Sequence, residues 1–427
     1  MKRVAPLPPP SYYEASIAPK RPPRARLRGE VEVDVAICGG GISGISTALH
    51  LVERGLRVAV LEAGTVGSGA SGRSGGQILN GFSASQPALE ARYGLYKAQQ
   101  LYALSLEAVH LVRDRVARHS IACDFMEGAI TLALKPRHLT EFRAEAARMA
   151  EHYGQSNLEV WGLDQTRAAV HSPLYCGGLY DPTGCHLHPL NYTLGLARAA
   201  EAAGAMIYEE SRVTAWASGT RPMLATAEGR VHAKEVVFCG NAYLGRLVKD
   251  LWPLIMPVAS CIIATEPLGD RLETCLSRPL SACDANIVLD YFRPTGDGRL
   301  LFGGLANYSG REPRDIIKAL RPRLQRAFPQ IADAKIEFGW GGLIDITPRR
   351  EPQMGQLEQG VWFAHGYSGH GLALATLSGA LLAEGICDRS DRLALLESLP
   401  RPAFPGGRFR TAALVAGMLA MRLKDAL

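Results

Sequence analysis

The hydrophobic pattern of this chain predicts two units in which an apolar strand, a glycine turn and a helix follow one another. In the first unit, apolar runs at 33–38 and 57–61 flank a helical stretch at 43–54. In the second unit, an apolar run at 361–365 precedes a helix at 372–384. Buried strands that alternate with helices are typical of α/β proteins with a parallel sheet. We therefore expect both units to belong to one nucleotide-binding sheet.

The segments between these two units predict a second, β-rich domain. Further helices are expected at 88–119, 139–153, 190–203 and 314–328. Further strands are expected at 129–134, 178–181, 206–210, 212–216, 231–240, 258–265, 287–292 and 300–303. We expect the strands within 206–240 to continue the first sheet and its crossover, and the strands after 252 to cover the substrate. A chain of 427 residues is longer than a single hydrophobic core usually supports, so two domains are expected. We assign 30–85, 186–250 and 341–400 to a nucleotide-binding domain, and 86–185 and 251–340 to a substrate domain.

The net charge of +6 is concentrated at the N-terminus. Residues 1–29 hold seven basic side chains against Glu14 alone, so the rest of the chain is close to neutral. A neutral body argues against nucleic acid as a partner. The same segment is rich in proline and lacks the apolar stretch of a signal peptide. We therefore expect it to be an extended linker or clasp.

The cysteine pattern and the C-terminus bear on where the protein works. Nine cysteines include no C-x-x-C pair, which favours reduced, buried thiols in a cytoplasmic protein. His186 and His188 have no third ligand nearby, so we expect no metal site.

The C-terminal segment 401–427 contains an apolar helix flanked by basic residues. We expect that helix to pack on its own protein; the alternative is an interfacial helix in peripheral contact with the inner membrane.

The first glycine turn has the spacing of a dinucleotide-binding βαβ unit. Gly39 makes the tight turn, Gly41 lets the backbone approach a pyrophosphate, and Gly44 lets helix and strand pack closely. The N-terminus of the helix offers unpaired N–H groups to the phosphates. Glu62 ends the second strand, where a carboxylate accepts hydrogen bonds from both ribose hydroxyls. The same carboxylate would repel a 2′-phosphate, which argues against NADP.

Two more glycine-rich runs are candidates for contact with the same ligand. The run at 66–78 follows the second strand, and most of its positions carry little or no side chain. We interpret it as backbone that lies against a ligand beside the pyrophosphate; the alternative is a loop without such a role. The run at 366–371 opens the second helix, whose N-terminus would point at the same cofactor.

Together the three glycine motifs resemble the flavin fingerprints of the D-amino-acid oxidase, glycine oxidase and sarcosine oxidase superfamily. The first motif is similar to the flavin form of the βαβ fingerprint, and the runs at 69–78 and 366–371 are similar to the second and the C-terminal flavin motifs. Within this superfamily, the segments at 11–16, 185–190, 240–244 and 340–347 resemble the γ-glutamylputrescine oxidase branch.

The resemblance implies a Rossmann-like FAD-binding domain of glutathione-reductase type, interleaved with an α+β substrate domain on an antiparallel or mixed sheet. It implies non-covalent FAD, because the glycine motifs lack the His or Cys that some relatives use for attachment. The residues that it assigns to the cofactor are Gly39, Gly41, Ile42, Ser43, Gly44, Glu62, Ala63, Ala70, Ser71, Gly72, Arg73, Ser74, Gly75, Gly76, Gln77, Val213, Gly240, Asn241, Gly366, Ser368, Gly369, His370 and Gly371.

The resemblance also implies an enzyme that oxidises the CH–NH bond of a small amine, of polyamine or γ-glutamylated polyamine type. Hydride would pass to flavin N5, water would hydrolyse the imine, and O2 would reoxidise the flavin with release of H2O2. The residues expected in the catalytic pocket are Arg73, Tyr291, Trp340, Asp345, Tyr367 and His370. Each of the aromatic side chains could instead pack in the core.

One departure from the family concerns the charge of the substrate. Amino-acid oxidases carry a Gly-x-Arg-Pro segment whose arginine holds the substrate carboxylate, where this chain has 342–345 and no arginine. Asp345 in its place could favour a cationic amine. The alternative is that Asp345 ends a strand and pairs with Arg349 or Arg350.

Two further departures concern the flavin. Ser74 stands where close relatives usually have asparagine, and the segment 299–303 lacks the lysine that activates oxygen in sarcosine oxidases. The electron acceptor is therefore O2 or a quinone. The rival functions are a D-amino-acid or N-methyl-amino-acid dehydrogenase that reduces a quinone, and a flavin-binding subunit without turnover of its own.

Overall fold

The structure is a computed structural model that describes residues 11–17, 23–388, 390–411, 414 and 415. Its first sheet has six strands, in the order β18 (Gln353–Glu358), β19 (Val361–His365), β12 (Glu235–Phe238), β2 (Val35–Cys38), β3 (Val58–Leu61) and β8 (Met206–Tyr208). All neighbours are parallel except β18 and β19. Strands β2, β3 and β19 are buried throughout, as expected for a parallel sheet covered on both faces.

The second sheet is mixed and has nine strands. Eight of them lie in the order β17 (Ile336–Ile346), β13 (Met256–Thr265), β16 (Leu300–Asn307), β15 (Tyr291–Pro294), β14 (Ser281–Asp284), β5 (Met126–Ala133), β7 (Gly177–His186) and β4 (Gln77–Ile78), and β6 (Glu159–Trp161) pairs with β7. Only β14 and β5 are parallel neighbours. The proposed domain boundary between 340 and 341 falls inside β17.

The strand expected at 287–292 begins only at Tyr291. The preceding residues form a turn in which the Asp284 carboxylate accepts a hydrogen bond from the Asn286 amide, 3.0 Å away. The Asp284 amide in turn donates to the Asp290 carbonyl. Such local bonds of an aspartate side chain compete with strand pairing, so the chain leaves the sheet between β14 and β15.

The third sheet has four strands, in the order β1 (Gly29–Glu32), β11 (Gly229–His232), β10 (Met223–Ala225) and β9 (Ala215–Ala217). We expected the strands within 206–240 to continue the first sheet and its crossover. Strands β8 and β12 join the first sheet, and β9, β10 and β11 form the expected crossover, which is a separate sheet together with β1. The single strand expected at 231–240 is divided between β11 and β12. The chain passes from β11 to β12 at Lys234, whose amide donates to the Asp34 carbonyl beside β2.

The described part of the chain contains ten helices. They are α1 (Tyr12–Ser16), α2 (Ile42–Val52), α3 (Gln86–Tyr93), α4 (Leu95–Arg118), α5 (Pro136–Tyr153), α6 (Leu163–Ala169), α7 (Pro189–Ala202), α8 (Ile316–Ala327), α9 (Gly371–Cys387) and α10 (Asp391–Glu397). Helices α2 and α9 lie in close contact, with the Ser46 hydroxyl donating to the Thr376 carbonyl at 2.7 Å. The expectation of a single helix at 88–119 is wrong, because Gly94 adopts φ +79° and separates α3 from α4.

The N-terminal segment, which we expected to be an extended linker or clasp, contains a packed helix in its described part. Residues 11–17 contain α1, and Tyr12 and Tyr13 are buried. The helix begins with a capping box, in which the Ser11 hydroxyl accepts from the Glu14 amide and the Glu14 carboxylate accepts from the Ser11 amide. The paired tyrosines supply the apolar surface that fixes this helix to the body of the protein.

No single helix in the described ranges is both long and apolar enough to cross a membrane. Helices α9 and α10 reach the necessary length and apolar character only when they are taken together, and their axes are bent by 110° at the break between them. The C-terminal helix expected within 401–427 lies outside the described residues except for Thr411, Leu414 and Val415, which are helical. Membrane contact through it has no support among the residues that are described.

Candidate active site

The first glycine turn joins β2 to α2 at the carboxyl end of the parallel sheet. Gly39 adopts φ +115°, and a Cβ atom there would lie 2.7 Å from the Cys239 carbonyl oxygen. A Cβ atom on Gly44 would lie 2.0 Å from the Gly39 carbonyl oxygen. Gly41 is the N-cap of α2 and places no side chain over the first amides of the helix. The turn therefore presents backbone N–H groups and a helix N-terminus to an anion, and it fits a pyrophosphate.

Glu62 follows β3 and lies beside this turn. Its two carboxylate oxygens accept hydrogen bonds from the Gly40 amide at 2.7 Å and from the Gly64 amide at 2.8 Å. Burial raises the pKa of this carboxyl, and the two amides oppose that shift. The amides hold the side chain in one orientation at the place where a ribose would follow the pyrophosphate. Ala63 continues the same loop.

The second glycine motif connects the two large sheets. The Ser71 hydroxyl, within the 3-10 turn Ala70–Gly72, accepts a hydrogen bond from the Ile42 amide at 2.9 Å and so joins the motif to the start of α2. The Ser74 amide donates to the Ala70 carbonyl. The chain then reaches β4, where Gln77 pairs with His186. Gly75 and Gly76 lie between these two attachments, at the junction of the sheets.

The third glycine motif returns to the same end of the parallel sheet, between β19 and α9. The Tyr367 hydroxyl lies 2.7 Å from the Ser43 hydroxyl of α2 and 2.8 Å from the Ser378 hydroxyl of α9. His370 is the N-cap of α9, and its enclosed position lowers the pKa of the imidazole to about 4. The ring is therefore neutral at pH 7. Gly369 and Gly371 flank it and leave the N-terminus of α9 without a bulky cover.

The remaining residues that the resemblance assigns to the cofactor lie near these turns. Gly240 and Asn241 follow β12 after Cys239, and Asn241 adopts φ +52°. Val213 is buried in the loop between β8 and β9. The three glycine motifs and the end of β12 thus converge, as the sequence predicted. Their backbone amides, small residues and helix N-termini fit an elongated, anionic dinucleotide cofactor such as FAD.

Asp345 has different partners from those that we expected. One carboxylate oxygen accepts from the Asn241 side-chain amide at 3.0 Å, and the other accepts from the Gly366 amide at 2.5 Å. Pairing with Arg349 or Arg350 is therefore wrong: Arg349 donates to Tyr93 and Arg350 to Tyr308. Side chains alternate along a strand, so Asp345 lies on the opposite face of β17 from Trp340. These contacts give the carboxylate a role in holding the third glycine motif.

We expect Asp345→Asn to remove part of the pH dependence of stability. Burial raises the pKa of this carboxyl from 3.8 to about 6, despite the bond from Gly366. Between about pH 4 and 6 the folded protein keeps a proton that the unfolded chain releases, so this group makes the folded state less stable as pH rises. The effect is about 3 kcal/mol and is nearly complete above pH 6.

Thermal melts from pH 4 to pH 8 measure this effect. The melting temperature of the wild type minus that of Asp345→Asn should fall between pH 4 and 6 and stay constant above. Asp270→Asn, at an exposed position, is the matched control and should follow the wild type. A difference that does not vary with pH would show that Asp345 does not titrate in this range.

Trp340, Arg73 and Tyr291 lie where the nine-stranded sheet faces the second glycine motif. The Trp340 indole donates to the Arg73 carbonyl at 3.0 Å, and the Arg73 Nε donates to the Gly341 carbonyl at 2.6 Å. Arg73 is buried, with its Nη1 3.8 Å from the Glu14 carboxylate. The Tyr291 ring is in contact distance of the Cβ position of Gly75. These expected pocket residues are brought together, whereas Asp345 and Tyr367 lie behind them among backbone and hydroxyl groups.

Two residues at this junction, Tyr13 and Arg293, were missed by the sequence analysis. The Tyr13 ring packs edge-on against Trp340, with centroids 5.3 Å apart, and against His188 at 4.8 Å. Arg293 Nε donates to the Gly75 carbonyl at 2.5 Å, and its Nη2 donates to the Tyr13 hydroxyl at 3.0 Å. Tyr13 could have been found, because the segment 11–16 resembles one branch of the superfamily. No motif in the sequence distinguishes Arg293 from other residues of a strand.

Comparison with known proteins agrees with this arrangement. The model of the DAO family, described as FAD dependent oxidoreductase, matches residues 34–385. The γ-glutamylputrescine oxidoreductase of Escherichia coli (strain K12) is 39% identical over 401 residues, or 93% of each chain. A probable oxidoreductase OrdL of Haemophilus influenzae is 38% identical over 381 residues, or 88% of each chain. The crystal structure of glycine oxidase from Geobacillus kaustophilus covers 87% of this chain and 99% of its own, with 24% identity and a TM-score of 0.72.

These matches confirm the expected fold class, in which a Rossmann-like FAD domain is combined with a substrate domain. They also confirm that the protein is an enzyme, because the family model and the relatives are oxidoreductases. The family match covers most of the chain, and the three glycine motifs lie within it. The chain therefore belongs to the DAO family of FAD-dependent oxidoreductases.

Proposed function

We propose that this enzyme oxidises the CH–NH bond of a small cationic amine, of polyamine or γ-glutamylated polyamine type, with non-covalently bound FAD. The observation that carries the proposal is the face of β17 that bears Trp340 and Gly342. The next residue on that face is Ile344, and no residue from 336 to 346 is basic. The strand thus offers no cation to a substrate carboxylate, and the 39% identity to a γ-glutamylputrescine oxidoreductase supports an amine instead.

The residues that would hold FAD are those of the three glycine motifs. The α2 N-terminus would receive the pyrophosphate, Glu62 the ribose, and the second and third motifs the ring system. When bound, FAD supplies a hydride acceptor for the oxidation of the amine. The N-terminus of α9 would stabilise negative charge on the ring system.

The protein's own part in the reaction is to place the substrate and to exclude water. The buried Trp340 and the half-buried Tyr291 lie beside the second glycine motif, and they would hold the carbon of the substrate close to the cofactor. The amine must lose its proton before hydride leaves the neighbouring carbon. His370, with a pKa of about 4, is neutral and adds no positive charge that would repel the incoming amine. Water would hydrolyse the imine after its release, and O2 is the proposed acceptor of electrons.

Anaerobic reduction of the flavin by a panel of amines tests this function. The purified yellow protein is mixed with putrescine, γ-glutamylputrescine, spermidine, sarcosine, glycine and D-amino acids, and the oxidised-flavin absorbance is followed before air is admitted. We expect bleaching by the polyamine-type substrates and release of peroxide in air. Bleaching only by amino acids would contradict the substrate class, and absence of bleaching by any of them would favour a flavin-binding subunit. Reduction by amines without peroxide in air would indicate a quinone acceptor.

A matched variant makes the test sharper. Ile344→Arg places a guanidinium at the face of β17 where the amino-acid oxidases have theirs. We expect it to slow bleaching by cationic amines at least tenfold, because like charges repel in a partly buried site. Leu163→Arg, at a 39% exposed position at the start of α6, adds the same charge elsewhere and should leave the rate unchanged. An equal effect of the two variants would show that the face of β17 does not recognise the charge of the substrate.

A further inference from the structure

Arg293 is a buried guanidinium whose hydrogen-bond partners are all neutral. It is 3% exposed, and its partners are the carbonyls of Gly75, Leu187 and Pro294 and the hydroxyl of Tyr13, at 2.5 to 3.0 Å. No carboxylate among the described residues lies within ion-pair distance of it. Guanidinium groups keep their charge in folded proteins, so this site contains a buried positive charge without a counter-ion.

The neighbouring histidines are affected by this charge. Burial first, and the Arg293 charge second, lower the pKa of His186 well below its usual range and that of His188 to about 3. Both rings are therefore neutral and do not add to the charge. Burial of a cation without a counter-ion is unfavourable, because the cation loses its hydration. A charged group that is buried at such a cost is a candidate for a role at a functional site.

The position of Arg293 identifies the ligand that would respond to this charge. Its guanidinium lies against the second glycine motif: it binds the Gly75 carbonyl, and a Cβ atom on Gly76 would lie 2.9 Å from its Nη2. Gly75 and Gly76 are among the residues proposed to contact the ring system of FAD. Reduction adds negative charge to that ring system, and a nearby cation in a low-dielectric site favours the reduced form.

We propose that Arg293 raises the reduction potential of the flavin and that Tyr13, on the N-terminal helix, positions it. Tyr13 is fully buried between Trp340, His188 and Arg293, and its hydroxyl is the only side-chain acceptor for Arg293 among the described residues. The other three acceptors are backbone carbonyls. Helix α1 thus completes the set of hydrogen bonds that aims this charge at the second glycine motif. The inference rests on the proposed binding of FAD.

The reduction potential of the bound flavin tests the proposal. Potentials of the holoenzymes are measured by equilibration with redox dyes, and FAD content by absorbance. For Arg293→Met we expect the ratio of reduced to oxidised flavin at a fixed potential to fall at least tenfold, which corresponds to about 30 mV for a two-electron couple. Arg293→Lys keeps the charge and should keep most of the potential. Arg293→Gln replaces Arg293→Met if the latter does not retain FAD.

Two tyrosine variants separate positioning from packing. Tyr13→Phe removes only the hydroxyl and should shift the potential in the same direction by a smaller amount. Tyr12→Phe removes the neighbouring hydroxyl, which donates to Asp297, and should leave the potential unchanged. An Arg293→Met or Arg293→Gln holoenzyme with the wild-type potential would overturn the inference. If the wild type itself binds no FAD, it is the proposed function that fails; if the wild type is reduced by amines and the variants keep its potential, only the inference fails.

Discussion

Gly44→Ala is expected to lower the affinity for FAD by at least a hundredfold. In most helices a glycine-to-alanine change stabilises the protein by up to about 1 kcal/mol, because alanine is the better helix former. At Gly44 the added methyl group would lie 2.0 Å from the Gly39 carbonyl oxygen and 3.2 Å from the Ile37 side chain. The first of these neighbours is backbone and cannot rotate away. Helix α2 would have to move from β2, which displaces the amides at its N-terminus from the proposed phosphate site.

The affinity is measured by titrating the apoprotein with FAD and by counting flavin per chain after purification. Gly162→Ala is the matched control, since Gly162 precedes α6 with φ −77° and has no atom within 4 Å of its Cβ position. That variant should retain the wild-type flavin content. Wild-type affinity in Gly44→Ala would show that the close contact of α2 with β2 is not needed for the cofactor.

Tyr13→Ala is expected to lower the free energy of unfolding by about 3–5 kcal/mol. The side chain is fully buried, and its removal leaves a cavity between Trp340 and His188. It also leaves Arg293 without its side-chain acceptor, and an unsatisfied buried donor adds to the cost. Such a loss is a large fraction of the free energy of unfolding of a typical domain.

Denaturant or thermal unfolding of the holoprotein measures this loss. Tyr96→Ala is the control, because Tyr96 is a 74% exposed side chain on α4 and its change should stay within about 0.5 kcal/mol. A Tyr13→Ala protein as stable as Tyr96→Ala would show that α1 does not bind the body of the protein as the structure describes. The result would then also remove Tyr13 as the residue that positions Arg293.

The parts of this fold that the sequence predicted are those with a local signal. The βαβ unit around Gly39 was predicted because its strands, its turn and Glu62 are close in sequence and each has a fixed spacing. The break at Gly94 was missed because a single glycine interrupts a helical pattern without ending its hydrophobic period. The division of the strand expected at 231–240 between two sheets was missed because each part is only four residues long, which is too short for its partners to be read from alternation.

The parts of the site that were missed depend on contacts far apart along the chain. Arg293 lies in a strand whose pattern does not show which face is covered. Its guanidinium contacts the second glycine motif and Tyr13, both more than 200 residues earlier in the chain. For Asp345 the sequence left two roles open, recognition of a cationic amine and an ion pair with Arg349 or Arg350. Its actual partners, Asn241 and Gly366, come from two other loops. Such pairings follow from topology and cannot be derived from spacing.

The position of α1 has a consequence for how the protein is made. Helix α1 is translated long before its partners, because Tyr12 binds Asp297, which is 285 residues further along the chain, and Tyr13 packs on Trp340. At about 5–20 residues per second, the ribosome needs roughly 15–60 s to synthesise these partners after α1 has emerged. During that time the two tyrosines have no surface to bind. Helix α1 thus leaves the ribosome early but binds late, and it encloses the junction of the two sheets only after β15 and β17 have been synthesised.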